Sequence, residues 1–155
     1  MRLIDILNRD CIIPDLKARD KREALEEMVE GLTFRVGGFN KERLLEVILE
    51  RERLGSTGIG YGVAIPHARL KGLNSSIIFF GRSISGIEFQ SLDEKPAHLF
   101  FLIAASEDST TAHLKILARI SRLLKDAVFR DKLMAASTRE EIYNIIAEED
   151  RKLQT

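Results

Sequence analysis

The sequence predicts an α/β fold: one domain, residues 1–155, with a mixed parallel and antiparallel central sheet flanked by helices on both faces. Two observations carry this expectation. The order of periodicities is helical, then a block of strands, then helical again, and that order suits a sheet covered on both sides. The length of 155 residues suits a single compact domain and leaves little room for two.

Each element has a local reason. Cys11-Ile12-Ile13 before Pro14 reads as a brief strand. Asp20-Lys21-Arg22-Glu23 has capping-box spacing, and Ala24, Leu25, Met28, Val29 and Leu32 follow at helical intervals. That helix ends before Gly37-Gly38. Asn40 is a good N-cap for a second helix bearing Leu44, Leu45, Val47, Ile48 and Leu49, which stops before Gly55. Four of the ten glycines fall in residues 55–62, so that segment suits neither a helix nor an ordinary strand interior. Val63-Ala64-Ile65 is a short strand closed by Pro66-His67. Ser76 to Phe80 and Ala97 to Ala105 read as buried strands, with another expected around Ile87 to Phe89. From Ser109 the period is helical, with Leu114, Leu117, Ile120 and Leu124 as its stripe. A further turn spans Val128 to Met134. Ser137-Thr138-Arg139-Glu140 then caps a last helix with Ile142, Ile145 and Ile146 inward.

Composition excludes several classes. Lys plus Arg and Asp plus Glu both number 24, for a formal net charge of zero, so no broad nucleic-acid footprint is expected. One cysteine, Cys11, permits no intrachain disulfide and no thiolate zinc cluster; it reads as a small buried hydrophobe. The longest apolar run, Leu99 to Ala105, is far short of the ~20 residues that span a bilayer, and no signal peptide is evident. A soluble, cytoplasmic protein without membrane insertion is expected. Three scattered histidines match no metal-ligand spacing, which argues against a metal hydrolase.

The richest stretch is Arg51-Glu52-Arg53-Leu54-Gly55-Ser56-Thr57-Gly58-Ile59-Gly60-Tyr61-Gly62-Val63-Ala64-Ile65-Pro66-His67-Ala68. Glycines let backbone N–H groups approach an anion, and Ser56 and Thr57 add hydroxyls. Pro66 restricts the backbone before His67, whose neutral imidazole is a competent nucleophile with an ordinary pKa of about 6.5. The pattern is neither a Walker loop nor a dinucleotide fingerprint. Residue types alone leave two readings open: an anion cradle beside a reactive histidine, or a glycine turn beside a surface one.

The same stretch resembles the active-site segment of the enzyme IIA proteins of the bacterial phosphotransferase system, fructose–mannitol class. The matching residues are Glu52, Ile59, Gly60 and the run Val63-Ala64-Ile65-Pro66-His67-Ala68, and similarity continues to Ile142-Tyr143. Arg53 to Gly60 looks most like the nitrogen-regulatory branch. Ala68 departs from that branch, which usually has glycine there; a positive φ at this position would strain alanine.

The resemblance implies a histidine phosphocarrier. His67 would take a phosphoryl group on Nε2 from the phosphohistidine of an HPr-like donor, with no metal and no cofactor. Ser56, Thr57 and Gly58 would bind the phosphoryl group. His113 shares a helical stripe with Leu117, Ile120 and Leu124 and so faces inward; the family carries a second active-site histidine there, which donates a hydrogen bond to the phosphoryl group and stays unphosphorylated. Arg51 continues the Leu44–Ile48 stripe inward, while Arg53 faces solvent near Glu50; an inward guanidinium at a helix end can also cap carbonyls, but the family's phosphoryl-clamping arginine matches Arg51. Arg69 reads as a solvated or partner-facing charge. His98, at the start of its strand and roughly 20 Å from the far end, reads as structural or exposed. Downstream, the branch likeness implies regulatory protein partners; the alternatives are transfer to the cytoplasmic domain of a fructose- or mannitol-type permease, or a binding module that is never phosphorylated.

Overall fold

The computed structural model describes residues 2–153. Its elements run Leu3–Asp5 (one 3-10 turn), β1 (Leu7–Ile13), α1 (Lys21–Arg35), α2 (Lys41–Arg53), β2 (Gly58–Gly60), β3 (Val63–Ala64), β4 (His67–Leu70), β5 (Ile77–Ile87), β6 (Ala97–Ser106), α3 (Thr110–Leu124), α4 (Ala127–Ala135) and α5 (Arg139–Lys152). The strands make one six-stranded sheet in the order β1-β5-β6-β3-β2, with β4 also paired to β6. β1 with β5, and β6 with β3 and β4, are parallel; β5 with β6 and β2 with β3 are antiparallel. The expected mixed sheet is present.

Alternation along β5 and β6 assigns the two faces. Phe79 lies under α1, with the Arg35 guanidinium 5.7 Å from its ring centre. Phe100 meets Phe89 edge-on at 5.5 Å, and Lys21 of α1 covers Phe89 at 4.6 Å. On the opposite face Phe80 and Phe101 meet edge-on at 5.0 Å. There the buried Arg82 donates to the carbonyls of Leu133 (2.8 Å) and Ala136 (2.6 Å), tying β5 to α4. A buried Arg119–Asp150 pair joins α3 to α5, and Asp150 also accepts from Leu3 N at 2.7 Å.

The caps follow the residues that were expected to supply them, with one shift. Asp20 accepts from Glu23 N at 2.8 Å and Asn40 from Arg43 N at 2.9 Å. At the last helix the N-cap is Thr138, which accepts from Glu141 N at 3.1 Å, one residue later than expected. The Glu141 side chain reaches back to Ser137 N at 2.9 Å, which explains why Ser137 reads as part of the cap.

Other expectations change. Residues 58–60 of the glycine segment do form a strand, because the β2–β3 hairpin turns through Tyr61 and Gly62 at φ 58° and 76°. No separate strand forms around Ile87 to Phe89: Ile87 ends the long β5, and Phe89 is buried in the following loop. On α3 Leu114 is exposed; Ile116, Ile120, Leu123 and Leu124 make the buried stripe with His113. Ala68 is a buried strand residue and is not among the positive-φ positions, so alanine fits there without strain.

Candidate functional site

β3 and β4 lie end to end along β6, separated by Ile65-Pro66. Pro66 has no N–H to donate at this break, and its carbonyl accepts from Ile103 N at 2.9 Å. His67 therefore opens β4, where the sequence suggested the close of a single strand. It pairs with Ile103 near the C-terminal part of β6. α2 packs on β4, and α3 follows β6, so the ends of two helices converge on this point.

The convergence leaves an open cleft of about 560 Å³, lined by Arg51, His67, Arg69, Glu107 and His113, with Val47, Glu50, Leu54 and Ala68 completing it. His67 is half-buried. Its Nδ1 lies 2.9 Å from the carbonyl oxygen of Ile65. A carbonyl only accepts, so Nδ1 carries the hydrogen and the neutral ring keeps its lone pair on Nε2. Burial holds the His67 pKa below its ordinary 6.5; the Ile65 carbonyl opposes that, the Arg51 charge adds to it, and Glu52 opposes it.

His113 stands beside it, with ring centres 5.2 Å apart and planes tilted by 53°. Only 5% of His113 is exposed, and its Nδ1 is buried without a hydrogen-bond partner among the described residues. Burial pushes its pKa down to about 4, helped by His67 and then by Arg69, so it is neutral near pH 7. Arg51, half-buried, donates to the Gly55 carbonyl at 2.8 Å and borders the cleft. Arg53 on the next face is exposed. Arg69 is exposed, as expected, and in addition donates to Thr110 Oγ1 at 2.7 Å and lines the cleft.

The structure thus brings His67, His113 and Arg51 together. It does not bring Ser56, Thr57 or Gly58 into the cleft lining. The Ser56 hydroxyl donates to Phe89 O at 2.8 Å and accepts from Gly58 N at 3.0 Å. Thr57 is buried, and both its N–H and its hydroxyl donate to Glu52. Gly58 is required by close packing: a Cβ there would sit 2.4 Å from Ser91 Oγ. His98 donates from Nδ1 to the Ser83 carbonyl at 2.9 Å and lies outside the cleft.

Three cleft features escape sequence reading. Glu107 follows β6 directly, at a strand's C-terminal end where α/β folds collect ligand groups; that position is the signal for it. Glu50 reads as part of a solvated charge run. Leu54, 86% exposed at the mouth, is an apolar residue placed just past a helix end, with no stripe to continue.

Among the described residues no three His, Cys, Asp or Glu side chains gather as a metal site, and no helix is long and apolar enough to cross a membrane. The cleft lining offers the Nε2 lone pair of His67 together with two guanidinium groups and a neutral imidazole. Such a set suits transfer of a small, doubly charged anionic group.

Residues 5–149 match the family described as "Phosphoenolpyruvate-dependent sugar phosphotransferase system, EIIA 2". A nitrogen regulatory protein of Bradyrhizobium diazoefficiens is 40% identical over 95% of this chain and 95% of its own length. The fructose-specific EIIABC component of the Bacillus subtilis phosphotransferase system is 38% identical over 97% of this chain, which spans 24% of that longer protein. The crystal structure of nitrogen regulatory protein IIA-Ntr from Neisseria meningitidis superposes with a TM-score of 0.85 at 32% identity, covering 92% of this chain and 97% of the other.

Proposed function

The chain belongs to the EIIA 2 family of the phosphoenolpyruvate-dependent sugar phosphotransferase system, and from that premise we propose that it carries a phosphoryl group on His67 Nε2. The single observation behind this reading is the Nδ1–H bond to the Ile65 carbonyl, which leaves Nε2 as the nucleophile beside Arg51 and His113. The donor is the phosphohistidine of an HPr-like carrier. The His67 lone pair forms the new N–P bond as the donor's N–P bond breaks, and that bond's electron pair returns to the donor ring. The proton stays on His67 Nδ1, hydrogen-bonded to the Ile65 carbonyl, so the step needs no proton acceptor.

The transition state is loose and spreads negative charge over the equatorial oxygens, so positioning and charge stabilisation dominate. Arg51 clamps those oxygens, and Arg69 adds a second positive charge. For His113, leaving a lone pair unpaired in the interior costs less than leaving an N–H unpaired. That places its proton on Nε2 as a donor to the phosphoryl group. Ser56 and Thr57 act at one remove, by shaping the turn. Leu54 and Val47 give the partner an apolar contact at the cleft mouth. A lowered His67 pKa keeps the nucleophile neutral below the ordinary histidine range.

The readout is regulatory. Phosphorylation adds roughly −1.5 to −2 charges near neutral pH, enough to alter docking of a regulatory partner. The likeness to the nitrogen regulatory protein over nearly its whole length favours this reading. The 38% identity to the fructose-specific component supports a second reading, transfer to a permease's cytoplasmic domain. Incubation with phosphoenolpyruvate and the two upstream carrier proteins, followed by intact-mass measurement, tests the proposal. One acid-labile phosphoryl group per chain is expected. No gain would leave an unphosphorylated binding module. Rapid onward transfer to a fructose-type permease domain would select the second readout.

A further inference from the structure

Glu52 occupies an unfavourable place. It lies in the last turn of α2, where the helix's carbonyl end repels a carboxylate, and it is only 8% exposed. A buried carboxylate is costly unless paired and hydrogen-bonded. Here it is fully engaged. Lys21, the first residue of α1, brings its ammonium to 2.8 Å from Oε1. Thr57 N donates to the same oxygen at 3.1 Å, and the Thr57 hydroxyl donates to Oε2.

The hydrogen bonds continue from Thr57. Its carbonyl accepts from Ile65 N at 2.9 Å, and the Ile65 carbonyl accepts from His67 Nδ1 at 2.9 Å. Four links thus run from an ammonium on α1 to the imidazole. The turn between them is glycine-rich, with Gly55 and Gly60 at φ 154° and 97°, and its hairpin holds few ladder pairs. Left to itself such a turn has many conformations. Glu52 is where it is tied to both helices.

We propose that Glu52, braced by Lys21, is a positioning residue for His67: by holding Thr57 it sets the Ile65 carbonyl, and with it the orientation and tautomer of the imidazole. This rests on His67 as the phosphoryl acceptor only for its kinetic consequence. The carboxylate also acts on the ring through its charge, supporting the protonated form against Arg51. The charged and titratable groups facing His67 are Glu50, Arg51 and Glu52 from α2, Arg69 from β4, Glu107 after β6 and His113 from α3.

The test uses the full chain with Glu52→Gln, the double variant Lys21→Met/Glu52→Gln, and Glu46→Gln as an exposed control on the same helix. Three quantities are read: urea unfolding, the imidazole ¹⁵N shifts of His67 against pH, and the rate of phosphoryl acceptance. Glu52→Gln is expected to weaken the Nδ1–H tautomer preference, lower the His67 pKa and slow acceptance on the order of tenfold. The double variant regains stability by removing the unpaired ammonium, yet keeps the altered ¹⁵N signature and the slow rate. Glu46→Gln matches the wild type. A folded Glu52→Gln or double variant with wild-type ¹⁵N shifts and wild-type acceptance overturns the proposal. If the wild type accepts no phosphoryl group, the functional reading fails, and the ¹⁵N shifts alone then decide whether Glu52 positions the ring.

Discussion

His67 and His98 sit along the same strand pair and share one local device. Each ring places Nδ1 2.9 Å from a backbone carbonyl, Ile65 for one and Ser83 for the other. Their surroundings then diverge. His98 is wedged against glycines: a Cβ at Gly86 would lie 2.8 Å from its Cε1 and 3.0 Å from its Nε2, and one at Gly62 would lie 3.5 Å from its Cδ2. His67 opens on a cleft with Arg51, Arg69 and His113. A fixed tautomer is common to both; His67 in addition lines a cleft with two guanidinium groups. Tautomer control therefore prepares a histidine for chemistry but does not select it.

The sharpest way to break this comparison is to delete each ring. His67→Ala should abolish labelling by the upstream carriers with the fold intact, whereas His98→Ala should label at the wild-type rate, read by intact mass. Labelled His67→Ala with unlabelled His98→Ala would reverse the assignment. Next comes the positive charge. Arg51→Ala should slow acceptance about a hundredfold, as loss of one charge-stabilising donor does, and His113→Ala should also be slower while still accepting label. Arg53→Ala should stay within about twofold, since that side chain is exposed.

A smaller effect sharpens the structural side. Gly86 has φ +89° and would press a Cβ to 2.9 Å from Pro96 as well as onto His98. Gly86→Ala should cost about 2 kcal/mol or more in denaturant unfolding, with an unchanged rate per folded chain. The pH effect separates the two sites further. His113 titrates at about 4 when folded and near 6.5 when unfolded. Between those values the unfolded chain binds more protons, so stability should fall as pH drops from 6.5 toward 4. His113→Asn should flatten that slope in urea unfolding, measured against the wild type.

Much of the fold is legible in the residues, for local reasons. Asp20 and Asn40 cap the helices they begin, and unbroken apolar runs make the central strands. What escapes is long-range. Leu114 reads as part of an inward stripe, but α3 is rotated so that Ile116 takes that place beside His113. Ser56 and Thr57 carry the right donors for a phosphoryl group, yet the distant Phe89 carbonyl and the buried Glu52 at the end of α2 take their hydroxyls. The reason is competition: a donor's identity is local, while its acceptor is whichever group the fold places nearest.

The family, the layered mixed sheet and the proposal of His67 and Arg51 as site residues follow from the amino-acid order, because periodicity, caps and a long motif are short-range patterns. Only the tertiary structure decided that Glu107, Leu54 and Arg69 share the cleft, that Ala68 is unstrained, and that the glycine turn hangs from Glu52 and Lys21. Those relations join residues far apart in the chain, and the packing of helices on the sheet is what brings them within reach.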